Sequence, residues 1–65
     1  MSWPSGVDPE LRETAERVLT AKQLEVVKLV AAGYGMGRIA LLLGITRASV
    51  KDRAEAARLK IEAEL

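Results

Sequence analysis

Apolar residues recur along this chain at steps of three and four, and nowhere do they alternate with polar ones for long enough to predict a strand. In "VDPELRETAERVL" the residues Leu11, Ala15 and Val18 step by four and three. Asp8 stands where a helix is capped, Pro9 suits the first helical position, and acidic residues come next in the first turn. A helix over 9–18 is predicted. Thr20 opens the next one, with Gln23 three residues on as its capping-box partner. Leu24, Val27, Val30 and Ala31 form its stripe, and Val26 and Leu29 broaden that stripe enough to predict contacts on two sides. This second helix is expected over 21–32, stopped by Gly33.

In "GYGMG" three glycines in five residues give a turn with access to positive φ. Gly35 is a weak cap for a short third helix over 36–43, whose Ile39, Ala40, Leu42 and Leu43 are expected to be largely buried. Gly37 inside that helix costs ~1 kcal/mol relative to alanine, which the close approach of another backbone would explain. Gly44 ends it. After the very short connection "GIT", Thr46 caps a fourth helix over 47–64, in which Val50, Ala54, Ala57 and Ile61 define one narrow core-facing seam. Residues 1–7 read as an irregular arm, with Trp3 either an anchor or, as the plainer reading, a cover for the apolar edge of the following helix. The expected architecture is all-α: one small four-helix domain over 8–65, without internal repeat or low-complexity segment.

The third and fourth helices carry the spacing of a helix-turn-helix. Ala40 is small enough to let the second helix of the pair approach, Gly44 four later suits the left-handed turn, and Val50 six later plugs the crossing from the other side. The bland reading of the same residues is any compact helical hairpin. Charge adds to the picture through its distribution, because the net charge of the chain is only +1. From Met1 to Ala32 four basic residues face five acidic ones, a net of −1, whereas from Arg38 to Lys60 six basic residues face two acidic ones, a net of +4. The basic excess lies in the second half.

Projected at about 100° per residue from Lys51, Arg47 lies near −40°, Arg58 near −20°, Glu55 near +40°, Ala48 near +60° and Asp52 near +100°, with the seam centred near −90°. Arg47 and Lys51 therefore share an exposed face in the first turns of a helix, where the backbone dipole favours anions and where like charges four residues apart repel. Phosphates and base edges of DNA against that face would relieve the repulsion. Arginine and lysine suit guanine edges, Asp52 or Glu55 suits a cytosine amine, and Thr46, Ser49 and nearby N–H groups suit phosphate at the helix start. Arg38 and Arg58 are candidates for flanking phosphates. Arg53 projects away and is expected to pair with a carboxylate of the first helix, Lys60 to be a solvated surface residue, and Glu55 has a bland alternative as the partner of Lys51.

Composition narrows the chemistry. With no cysteine and no histidine, the chain lacks disulfides, thiolate or imidazole metal sites, the cysteine nucleophile and the usual imidazole base. Neither an enzyme nor a bound cofactor or metal is expected, and scattered carboxylates such as Glu13, Glu16 and Glu25 read as a solvated face rather than a catalytic pair. The longest apolar run, Ile39–Leu43, is far below the ~20 residues needed to cross a bilayer, so no membrane partner is expected. The start "MSWPSGVDPE" lacks the layout of a signal peptide, which predicts a cytoplasmic protein.

From Leu19 to Ile61, through "LTAKQLEVVKLVAAG", "IALLLGITRASVK" and "RAEAARLKI", the chain resembles the DNA-binding domain of LuxR-type response regulators and the promoter-reading fourth region of sigma factors. The last stretch is more similar to the sigma factor version. This resemblance implies that Arg47, Ser49, Lys51, Asp52 and Glu55 lie on a recognition helix, with Thr20 and Lys22 near backbone phosphate. Gln23 stands where both families usually carry glutamate, "GYGMGR" replaces the usual serine-capped start, and Arg38 stands where an acidic residue is common. The chain ends before the further helix that LuxR-type domains use to dimerise, and an extra helix precedes the motif instead. The expected function is sequence-specific binding of double-stranded DNA by a small bacterial or phage regulator of transcription or of another DNA transaction. The competing expectation is a protein-interaction module that contacts RNA polymerase or another subunit. A homodimer through Ala54, Ala57, Ile61 and Leu65 is the associated expectation, because that narrow seam could continue as a helix pair.

Overall fold

Local capping chemistry fixes where each helix begins. The structure, a computed structural model, describes residues 2–65; Met1, the first residue of the expected arm, lies outside the described residues. Four helices and no strand occur among them: α1 (Pro9–Val18), α2 (Ala21–Ala31), α3 (Met36–Leu43) and α4 (Arg47–Glu64). The Asp8 carboxylate accepts from the Glu10 N–H at 2.8 Å. At α2 the Thr20 hydroxyl accepts from the Gln23 N–H at 3.2 Å and the Gln23 amide oxygen accepts from the Thr20 N–H at 3.1 Å, which completes the capping box. Thr46 caps α4 in the same manner, its hydroxyl accepting from the Ser49 N–H at 3.1 Å.

The helix ends are closed by glycine. Gly33 (φ 96°) and Gly44 (φ 67°) both take the left-handed conformation just past α2 and α3. In each case the next N–H turns back onto the last turn of the helix, Tyr34 to the Leu29 carbonyl at 3.2 Å and Ile45 to the Ala40 carbonyl at 3.0 Å. A side chain added at Gly44 would meet nothing within 4 Å, so its requirement for glycine is one of backbone alone. Gly44→Ala is expected to cost about 1–2 kcal/mol and to lower the thermal midpoint by at least about 4 °C, measurable by circular dichroism.

Val26 and Leu29 of α2, Ile39 and Ala40 of α3 and Val50 of α4 form the core, with Leu43, Ile45 and Ala54 packed against it. The broad stripe of α2 thus resolves on Val26 and Leu29, while Val30 is 44% exposed, because α2 turns one side to both α3 and α4. In α3 the apolar run is wider than one face can bury: Ile39 and Ala40 go in, and Leu42, expected inside, is 52% exposed beside Leu41. The atoms nearest to a side chain built at Gly37 belong to a side chain and not to another backbone. They are those of the Arg47 guanidinium.

Helix α4 runs against all three other helices. Its seam is covered by the chain itself, with Val50, Ala57 and Ile61 all buried. Of the residues expected to form a homodimer seam, Ala57 and Ile61 are buried within the chain, Ala54 is partly covered and Leu65 is exposed, because α4 packs on α1 and α2. The ionic tie between α1 and α4 has the opposite polarity to the one expected for Arg53, since Arg17 of α1 meets Glu64 of α4 at 2.8 Å. Lys60 is not merely solvated, for its ammonium donates to the Gln23 amide oxygen at 3.0 Å and links the far part of α4 to the start of α2. Trp3 lies under the Lys28 ammonium of α2, 5.5 Å from its ring centre. None of the described helices is long and apolar enough to cross a membrane.

Candidate functional site

The Schellman turn at Gly44 and the Thr46 cap set where α4 begins relative to α3, and that start fixes everything on the outer side of α4. Thr46, Arg47, Ala48, Lys51, Asp52, Glu55 and Arg58 are exposed, as is Arg38 on α3. Ser49 is half-buried and its hydroxyl accepts from Thr46 Oγ1 at 3.0 Å, so these two side chains are occupied with each other at the helix cap. The core-facing residues Val50, Ala57 and Ile61 lie on the other side of the helix and hold it in place.

Among the described residues the ion pairs are Arg17–Glu64 and Arg58–Glu62. Arg38, Arg47, Lys51, Asp52 and Glu55 take part in neither, so the bland pairing of Glu55 with Lys51 is not formed. Arg58 binds the Glu62 carboxylate through Nη1 at 3.1 Å, four residues along the same helix and with both side chains more than half exposed. A pair of that kind contributes about 0.3–0.5 kcal/mol and yields readily to a stronger anion. Arg47 and Lys51 remain two uncompensated cations in the first two turns of α4, at the positive end of its dipole.

Beside this face lies a feature that sequence spacing does not bring out: an open apolar groove of about 720 Å³ walled by Leu11 of α1, Val27 and Val30 of α2, Met36 of α3, and Ala54 and Ile61 of α4. Lys51, Glu55, Arg58 and Glu62 form its α4 rim. The signal for it is the smallness of Ala54 in the seam, too little volume to fill the space between α4 and the neighbouring helices. Charged and apolar surfaces thus meet along one edge of α4. Compared with known protein families, curated proteins and solved structures, the chain matches none.

Proposed function

We propose that the chain binds double-stranded DNA sequence-specifically, with α3 and α4 acting as a helix-turn-helix and α4 as the recognition helix, in the role of a small bacterial or phage transcriptional regulator. One observation carries this reading: the outer side of α4 presents Arg47 and Lys51 exposed and outside any ion pair among the described residues, immediately after a left-handed glycine turn. Such cations at a helix start cost stability in the free protein and gain it against a polyanion. In this arrangement Lys51 faces a guanine edge, Asp52 and Glu55 select against or for neighbouring bases, Ala48 offers an apolar contact to a thymine methyl, and Thr46, Ser49, Arg38 and Arg58 stand toward the flanking backbone.

The test is in vitro selection of duplexes from a random pool, and then titration of the selected site over a range of salt. Neutralisation of phosphate by three cations (Arg38, Arg47 and Arg58) predicts a log–log salt slope of roughly −3. No enrichment together with a flat salt response would reject the reading.

The groove supports a second reading, in which the domain docks an amphipathic helix of RNA polymerase or another subunit. The apolar walls suit the partner's buried stripe, and the mixed rim of Lys51, Arg58, Glu55 and Glu62 suits charges at its edges. Sedimentation at several concentrations, with and without duplex and with the partner subunit, separates the two: complex formation with the protein and no response to DNA would favour the second.

A further inference from the structure

Arg47 opens α4, and side chains at a helix start lean toward its N-terminus, back over the turn that joins α3 to α4. There its guanidinium meets the first turn of α3. A Cβ built on Gly37 would stand 2.7 Å from Arg47 Nη2, 3.0 Å from Nε and 3.2 Å from Cζ. Three atoms of the guanidinium are thus the nearest neighbours of a side chain built at position 37, so the group fills the space that such a side chain would take. Any side chain at position 37 would have to displace the guanidinium.

This accounts for a residue that helix propensity disfavours. Gly37 sits at the second position of an eight-residue helix, where alanine would be the better helix former. No positive φ demands glycine there, since among the glycines only Gly6, Gly33 and Gly44 have one. What the structure places at this position is the far end of Arg47, in the space a side chain would take.

The geometry points to Gly37 as a positioning residue that holds Arg47 against α3, so that Arg47 contacts a DNA backbone phosphate and leaves base reading to Lys51 and its neighbours. This inference rests on the DNA-binding reading for its ligand, though not for the contact itself. When a helix-turn-helix docks, the first helix of the pair crosses the phosphate backbone while the second reaches the base edges. A guanidinium parked on the first turn of α3 lies on the backbone side of that division, one helical turn away from Lys51. Pre-set in this way, it loses less side-chain freedom on binding than an extended arginine would.

The test uses the full chain in two stages. In the free protein, proton NMR should show a nuclear Overhauser contact between the Gly37 Hα protons and the Arg47 side chain, and its absence would overturn the positioning role without reference to DNA. With the selected duplex, Gly37→Ala is expected to raise the thermal midpoint by a few degrees, as a better helix former, yet to weaken binding roughly 3- to 10-fold. The loss should be the same on a shuffled duplex, because a phosphate contact carries no sequence information. In an Arg47→Ala background the Gly37→Ala change should have no effect on affinity. An undiminished loss in that background, or a loss confined to the selected sequence, would overturn the proposal. A wild-type chain that binds no duplex would overturn the phosphate role together with the DNA reading, while the Overhauser contact would still decide whether Gly37 holds Arg47.

Discussion

Leu29→Ala is expected to leave most of the chain unfolded at 25 °C. Leu29 has no exposed surface and is among the largest of the wholly buried side chains, at the centre of the cluster that joins α2, α3 and α4. Removing its isobutyl group withdraws transfer free energy and leaves a cavity, at a combined cost of about 2–5 kcal/mol. A domain of this size rarely gains more than about 3–5 kcal/mol from its core, so the loss consumes most or all of the stability. Helical circular dichroism should fall and the cooperative thermal transition should vanish or move far down. Leu42→Ala provides the contrast: the same chemistry at a half-exposed site should change stability by no more than about 0.5 kcal/mol. Equal effects at the two positions would contradict the burial that defines this fold.

Lys51→Ala should separate stability from binding. The ammonium is exposed, lies outside the Arg17–Glu64 and Arg58–Glu62 ion pairs, and stands four residues after Arg47 on the same side of α4. Its removal relieves a like-charge repulsion of about 0.2–0.5 kcal/mol and takes one cation from the positive end of the helix, so the fold should hold or gain slightly. Affinity for a selected duplex should nevertheless drop by roughly 5- to 150-fold, the range for one good base contact. Discrimination at a single base pair should relax at the same time, which Arg47→Ala should not cause. Unchanged affinity in fluorescence anisotropy would remove the main support for DNA recognition by α4.

The helix limits and the turn between α3 and α4 are legible in the sequence because they depend on neighbours in the chain: Asp8, Thr20 and Thr46 cap the helices they precede, and Gly33 and Gly44 close the helices they succeed. Spacing also assigns Ala40 and Val50 their buried places. The part it leaves open is set by how helices cross. Four apolar residues in α3 cannot all face inward, and only the packed neighbours decide that Leu43 is half-covered while Leu42 faces solvent. A stripe on α4 looks the same whether another molecule or the chain's own α1 and α2 will cover it, and this is why spacing alone suggests a dimer surface there. The candidate cations are legible as a group, by charge and helical period. The contact of Arg47 with Gly37, the Lys60–Gln23 link and the groove beneath Lys51 each join residues from different helices, which no local pattern encodes.

The two ends of α4 are fastened by different means. Near Val50 the fastening is apolar and closely packed, whereas toward Glu64 it includes the Lys60–Gln23 hydrogen bond and the Arg17–Glu64 pair, both at the surface. Added electrolyte weakens the second kind and spares the first. The rod is accordingly clamped at its leading tip and moored at its tail, so that a rise in ionic strength loosens the trailing turns while the residues offered outward keep their alignment with α3.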